Sequence, residues 1–256
     1  MSDYNWITDF VREGYVHFPG LIDTQTIAAA RAVIDTDLAA NYDPARKPEY
    51  DSRSFCPDVL GTPPIVALNE HPGVRAKIAA LLDLDNIAFD THGQVAIRQA
   101  HNTGQNFPPH PHIDGFPAPH NGVEANHIQP FALLAGVFLS EVNREFAGNF
   151  TVWPGSHYLY EKHFRERGAL APKEGMPELS LGQPRQLMGS PGDVVLCHYQ
   201  LGHSAAVNTS DHDRYAVFFR NNHKDLSDWE SPDRSEAVMR HLANLWDGWK
   251  VDSGRC

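Results

Sequence analysis

Apolar positions change their period near residue 87. Before it they recur at helical spacing. Trp6, Ile7 and Phe10 share one side of a short segment that Asp3 can cap and Gly14 ends. Tyr15-Val16-His17-Phe18 then alternates like a short strand ahead of Pro19-Gly20. A second helix is expected from Asp23 or Thr24, with Ile27, Ala30, Ile34 and Leu38 on its apolar face. Beyond a loop rich in charge and proline, Pro72 suits the first turn of a third helix whose face is Val74, Ile78, Leu81 and Leu82.

From residue 87 onward, short apolar runs are separated by glycine and proline. The predicted strands are Ile87-Ala88-Phe89, Gln94 to Arg98, Phe131 to Val142, Asn149 to Trp153, Gln186-Leu187-Met188, Asp193 to Tyr199 and Arg214 to Phe219. Successive strands without intervening helices point to a mainly β sandwich or barrel with flanking α, rather than a parallel α/β sheet. A final helix is expected from Ser231-Pro232 through Val238, Leu242 and Leu245. With no internal repeat or linker, the chain reads as one domain over 1–256: a helical part at 1–86, a β core at 87–222 and a C-terminal helix at 231–247.

Composition changes this picture little. At 256 residues and 41% hydrophobic, the chain can bury a sizeable core. No apolar stretch approaches the roughly 18 residues of a membrane span. Met1 to Trp6 lacks a basic-then-apolar leader, so a soluble cytoplasmic protein is expected. Cys56, Cys197 and Cys256 suggest neither a disulfide framework nor a zinc knuckle. A net charge of −11 argues against a nucleic-acid partner, because phosphates need a basic patch. The oddity is 15 histidines, which crowd between residues 92 and 127.

Two of the potential ligands there are His112 and Asp114. Residues two apart on a strand share a face, with Cα atoms roughly 6.5–7 Å apart, so both could reach one ion. Prolines 108, 109 and 111 favour the extended approach that this requires. By itself the pair is also a common coincidence. Further on, the apolar run Val194 to Cys197 delivers His198 or His203; its ordinary role would be a core strand whose histidine bonds to backbone. Arg214 then opens another apolar strand, where a guanidinium is costly unless it meets an anion. Its fork fits a carboxylate such as the distal end of 2-oxoglutarate. Two histidines and one carboxylate form the ligand set of a non-haem Fe(II) site with open positions. His110, on the same strand face, remains a rival ligand on geometry alone.

Taken together, His112-Ile113-Asp114, the run Asn149 to His157, and Gly192 to Leu196 followed by His203, Asn208 and Arg214 resemble the phytanoyl-CoA dioxygenase family. The resemblance runs from the N-terminal helix to about residue 220. It implies a double-stranded β-helix (jelly-roll) core with N-terminal helices and an Fe(II)- and 2-oxoglutarate-dependent oxygenase. Such an enzyme uses O2 to hydroxylate an unactivated C–H bond of a small-molecule substrate, releasing succinate and CO2. Carried over by position, His112, Asp114 and His203 would bind iron as the catalytic set, and Arg214 would hold the 2-oxoglutarate C5 carboxylate. Family spacing favours His203 over His198. Arg98 and Gln99 would approach the co-substrate, and His120 and His127, in the long 102–126 loop and just beyond it, the substrate. Related halogenases lack the carboxylate ligand, so Asp114 favours hydroxylation, desaturation, epimerisation or cyclisation. The turn at Pro154-Gly155-Ser156-His157 is expected to be structural, with Ser156 or His157 bonding local backbone.

Overall fold

The computed structural model describes residues 5–82, 84–101, 109–116, 123, 131–168 and 171–224. The expected caps and core faces of the N-terminal part are present. Helix α1 (Trp6–Glu13) ends at Gly14, whose φ of 80° returns its N–H to Phe10 O at 2.8 Å. A Cβ on Gly14 would lie 2.5 Å from the His157 ring, so glycine alone satisfies both the turn and the close approach. The N-cap position is Asn5, without a side-chain bond, and Asp3 lies outside the described residues. After β1 (Tyr15–Phe18), helix α2 (Thr24–Asn41) is capped by Asp23, which accepts from Gln25 N and Thr26 N. The charged loop that follows contains α3 (Lys47–Ser52) and α4 (Pro63–Glu70), neither of which the pattern predicts. Helix α5 (Pro72–Leu81) has proline in its first turn and buries Val74, Ile78 and Leu81.

The β region comprises β2 (Ile87–Ala88), β3 (Gln94–Arg98), β4 (Leu133–Phe138) and β5 (Phe150–Val152). Helices α6 (Ser156–Arg167) and α7 (Ala171–Glu174) interrupt it. The remaining strands are β6 (Arg185–Gln186), β7 (Val194–His198), β8 (His203–Ala205) and β9 (Arg214–His223). Two antiparallel sheets result. The larger runs β1-β7-β4-β9, with β2 and β3 both pairing the far edge of β9; the smaller runs β6-β5-β8. They face each other without closing into a barrel. The expected mainly β fold with N-terminal helices is borne out. The C-terminal helix expected at 231–247 lies outside the described residues.

Alternation along β9 explains how the sheets meet. Tyr215 and Asn221 face the helices: Arg31 of α2 lies 3.5 Å over the Tyr215 ring, and Asn221 exchanges side-chain hydrogen bonds with Asn69 of α4. Arg214, Ala216, Phe218 and Arg220 take the other face, toward the small sheet. There Phe218 packs on Phe150 of β5 with ring centroids 5.1 Å apart. This inter-sheet layer holds the chemistry.

One connection differs from the sequence expectation. The apolar run ends at His198 in β7, and residues 199–202 carry the chain across to the small sheet before His203 opens β8. The two histidines therefore belong to different sheets. Among the described residues, no helix is long and apolar enough to cross a membrane.

Candidate active site

His112 and His203 are held together by backbone. His112 N donates to His203 O at 3.0 Å, and His203 N donates to His112 O at 2.8 Å, adding residue 112 to the edge of the small sheet. Their rings stand 4.6 Å apart. The chain turns at Asp114 instead of continuing as a strand, and this turn brings the carboxylate back toward both imidazoles. Asp114 Oδ1 lies 3.5 Å from His112 Nε2 and 3.4 Å from His203 Nε2. Two bonds of about 2.1 Å at right angles would place ligand atoms about 3 Å apart, so the spacing suits donors adjacent around one ion. These three residues are the one group among the described histidines, cysteines and acids that could hold a metal.

Surrounding bonds prepare each donor. His203 Nδ1 donates to Leu201 O at 2.9 Å, which leaves Nε2 unprotonated and directed at the site. The surrounding protein desolvates the inner side of the His112 imidazole and lowers its pKa, with Asp114 opposing and His203 adding to the effect, although its outer edge meets solvent. Burial alone would raise the Asp114 carboxyl, but Arg220 and the two imidazoles outweigh it and hold it well below the usual carboxylate range. The His112 side chain is 49% exposed against 8% for His203, so the cluster opens to solvent on the His112 side.

The Pro-Gly-Ser-His turn also has a longer reach than expected. It starts helix α6 instead of bonding local backbone: Ser156 Oγ accepts from Gly202 N at 2.8 Å, and His157 Nε2 lies 3.0 Å from Val11 O. Trp153 N donates to Gly202 O at 2.9 Å, so residue 202 is fixed from both sides immediately before His203. Replacing Ser156 by alanine leaves a buried N–H without its partner. It should lower stability by about 1–3 kcal/mol, read as a lower urea midpoint with an unchanged m value.

Arg214 is only 2% exposed. Its Nε donates to Gly148 O at 2.7 Å and its Nη1 to Ala96 O at 3.1 Å, and no carboxylate neutralises it among the described residues. Burial, with repulsion from Arg98, pushes its pKa down to about 9. Gly148 makes the approach possible: at φ 73°, a Cβ there would sit 2.8 Å from Arg98 Cβ and 3.1 Å from Arg214 Cβ. Arg98 is the cross-strand partner of Arg214, and its nearest acid, Asp51, is 3.7 Å away. The result is a pair of neighbouring guanidiniums poor in counter-charge. Gln99, one residue on and so facing the opposite way, donates Nε2 to the Tyr42 hydroxyl at 2.9 Å. The structure thus turns it away from Arg214.

The rival ligands are placed elsewhere. His110 is exposed, with Nδ1 3.0 Å from Pro111 O, and His198 is buried, with Nδ1 accepting from Gln200 N. His120 and His127 lie outside the described residues. The sequence reading missed Arg220, which grips Asp114 through Nε at 2.9 Å and Nη2 at 2.7 Å. Its even spacing from Arg214 puts the two side chains on one face of β9, but β9 runs past the predicted end at Phe219 and nothing in the sequence names Asp114 as a partner.

A sandwich of antiparallel sheets enclosing two histidines and a carboxylate defines a jelly-roll enzyme of the non-haem metal class. The family model for phytanoyl-CoA dioxygenase (PhyH) matches residues 10–216, and the chain belongs to that family. It is a 2-oxoglutarate-dependent oxygenase, as the sequence motifs imply, and the expected use of iron and 2-oxoglutarate agrees with this membership. Solved structures share the fold. The 2-oxoglutarate-dependent epimerase SnoN from nogalamycin biosynthesis is 23% identical, covering 84% of this chain and 78% of its own, with a TM-score of 0.56. HygX from Streptomyces hygroscopicus, with nickel and 2-oxoglutarate bound, is 16% identical over 87% of each chain with a TM-score of 0.54. The non-haem monooxygenase ThoJ, as its nickel complex, is 17% identical over 85% of this chain and 78% of its own, also at 0.54. Comparison with curated proteins returns no match.

Proposed function

We propose that His112 Nε2, Asp114 Oδ1 and His203 Nε2 hold Fe(II), that Arg214 receives the distal carboxylate of 2-oxoglutarate, and that the enzyme hydroxylates an unactivated C–H bond of a small metabolite. The observation that carries this is one inter-sheet layer containing both a three-donor cluster and a buried guanidinium that has no acid partner among the described residues. When bound, the iron supplies oxygen activation coupled to decarboxylation of 2-oxoglutarate to succinate and CO2. The chain's own residues orient and exclude. His203 is locked by Leu201, Asp114 by Arg220, and the walls that Phe150 and Phe218 line keep water from the buried side. Arg98 adds a second positive charge beside the carboxylate seat.

Asp114 fills the position that halogenases leave for chloride, which supports oxygen transfer. HygX is described with hygromycin B bound and SnoN with a nogalamycin compound, which supports a small-molecule substrate here. The sequence lacks a dense Lys/Arg cluster in its loops that could hold the phosphates of a coenzyme A thioester, which favours a smaller metabolite.

The test is succinate formation by purified protein with Fe(II), ascorbate and 2-oxoglutarate, alone and with a panel of small metabolites. Slow substrate-free turnover should appear and be lost on chelation. No turnover together with no 2-oxoglutarate binding by calorimetry would sink the proposal. Product masses 16 units above a substrate distinguish hydroxylation from desaturation, epimerisation or ring closure.

A further inference from the structure

The Asp114 carboxylate is divided between two tasks. Oδ1 faces the two imidazole nitrogens, while Oδ2 accepts a hydrogen bond from Arg220 Nε at 2.9 Å and lies 2.7 Å from Arg220 Nη2 in an ion pair. The guanidinium is itself anchored. Nη2 also donates to Gln94 Oε1 at 2.7 Å, and Arg220 N donates to Asp90 Oδ2 at 2.9 Å. The next residue, Asn221, is fully buried in its amide pair with Asn69 of α4. An exposed ion pair would contribute little here, but this one is fixed at both ends and Asp114 is only 12% exposed.

We propose that Arg220 is a positioning residue that keeps Asp114 monodentate, so that an octahedral ion retains one more open position than a chelating carboxylate would allow. This rests on reading the triad as the iron site. The count of positions gives the consequence. Two imidazoles and one carboxylate oxygen leave three positions, enough for a chelating 2-oxo acid and one further ligand. If Oδ2 also reached the ion, only the 2-oxo acid would fit. The Nε–H bond and the ion pair to the same guanidinium hold Oδ2 on the Arg220 side, turned away from the two imidazoles that Oδ1 faces.

Manganese(II) tests this without turnover, because water-proton relaxation reports how many exchangeable waters the ion carries. Relative to wild type, Arg220→Met should lose roughly one-third of the bound-ion relaxivity, three waters becoming two. Adding 2-oxoglutarate should remove nearly all the remainder in the variant, while wild type keeps a measurable water contribution. Arg220→Lys, able to donate to Oδ2, should restore most of the wild-type value. Arg220→Leu, which also has no donor, serves if the methionine variant does not fold, with the same expected loss. Tight manganese binding with unchanged relaxivity in the folded methionine or leucine variant overturns the proposal but leaves the site intact. Loss of manganese binding in a variant with wild-type circular dichroism also overturns it, because Arg220 would then place Asp114 without limiting its coordination. Failure of wild type to bind manganese overturns the site itself.

Discussion

Replacing His203 by alanine will give a folded protein whose affinity for a divalent ion is lower by more than about a hundredfold. Losing a mere supporting partner costs about 10–100-fold in comparable sites, and His203 is a donor itself. It is also the most enclosed of the three, with Nε2 left free by the Nδ1 bond to Leu201 O, so no solvent-side group stands ready to replace it. Calorimetric titration with nickel or manganese measures the loss, and circular dichroism checks the fold. His110→Ala is the matched control. His110 is exposed and directed at its own neighbour, so the variant should bind metal within about threefold of wild type, below the range expected even for lost support. A large loss in the His110 variant with retention in the His203 variant would reverse the ligand assignment.

The sequence showed the periodic parts of this structure most clearly. Ile27, Ala30 and Ile34 in α2, and Val74, Ile78 and Leu81 in α5, bury as their spacing requires, and the β9 alternation separates inner arginines from outer Tyr215 and Asn221. Helix α6 was missed although Tyr160 and Phe164 bury at i,i+4, because Pro154-Gly155 punctuates the chain like a turn and charged residues dilute the apolar face. The H-x-D pair was found by assuming a strand. The two side chains are brought together instead by a backbone bridge to His203 and a turn at Asp114, and a distant pairing partner leaves no local trace. Arg220 escaped for a related reason: its role appears only once residue 114 is placed beside it. Gln99 shows the converse limit of spacing, since adjacency in sequence to Arg98 directs it to the opposite side, against Tyr42.

Arg214→Met should separate co-substrate binding from folding. A methionine fills a comparable volume but removes the buried charge, so 2-oxoglutarate should bind at least about a hundredfold more weakly, as expected when about 3 kcal/mol of a desolvated, charge-assisted contact is lost. The unliganded protein should change little, with a melting temperature within roughly 4 °C of wild type. Two effects oppose each other there: Gly148 O and Ala96 O lose donors, while an uncompensated guanidinium is removed from the interior. The thermal upshift that saturating 2-oxoglutarate gives wild type should vanish in the variant. The pH dependence follows from the depressed pKa. Unfolded, the guanidinium titrates near its ordinary value; folded and without ligand, it is pushed down to about 9. The unliganded protein therefore bears the full cost of the charge below pH 9 and sheds it as pH rises further. Binding an anion favours the charged form, so affinity for 2-oxoglutarate should be flat through neutrality and weaken only above about pH 9. A pronounced fall in 2-oxoglutarate affinity between pH 6.5 and 8, or an Arg214→Met protein that binds 2-oxoglutarate normally, would place the carboxylate seat on another residue.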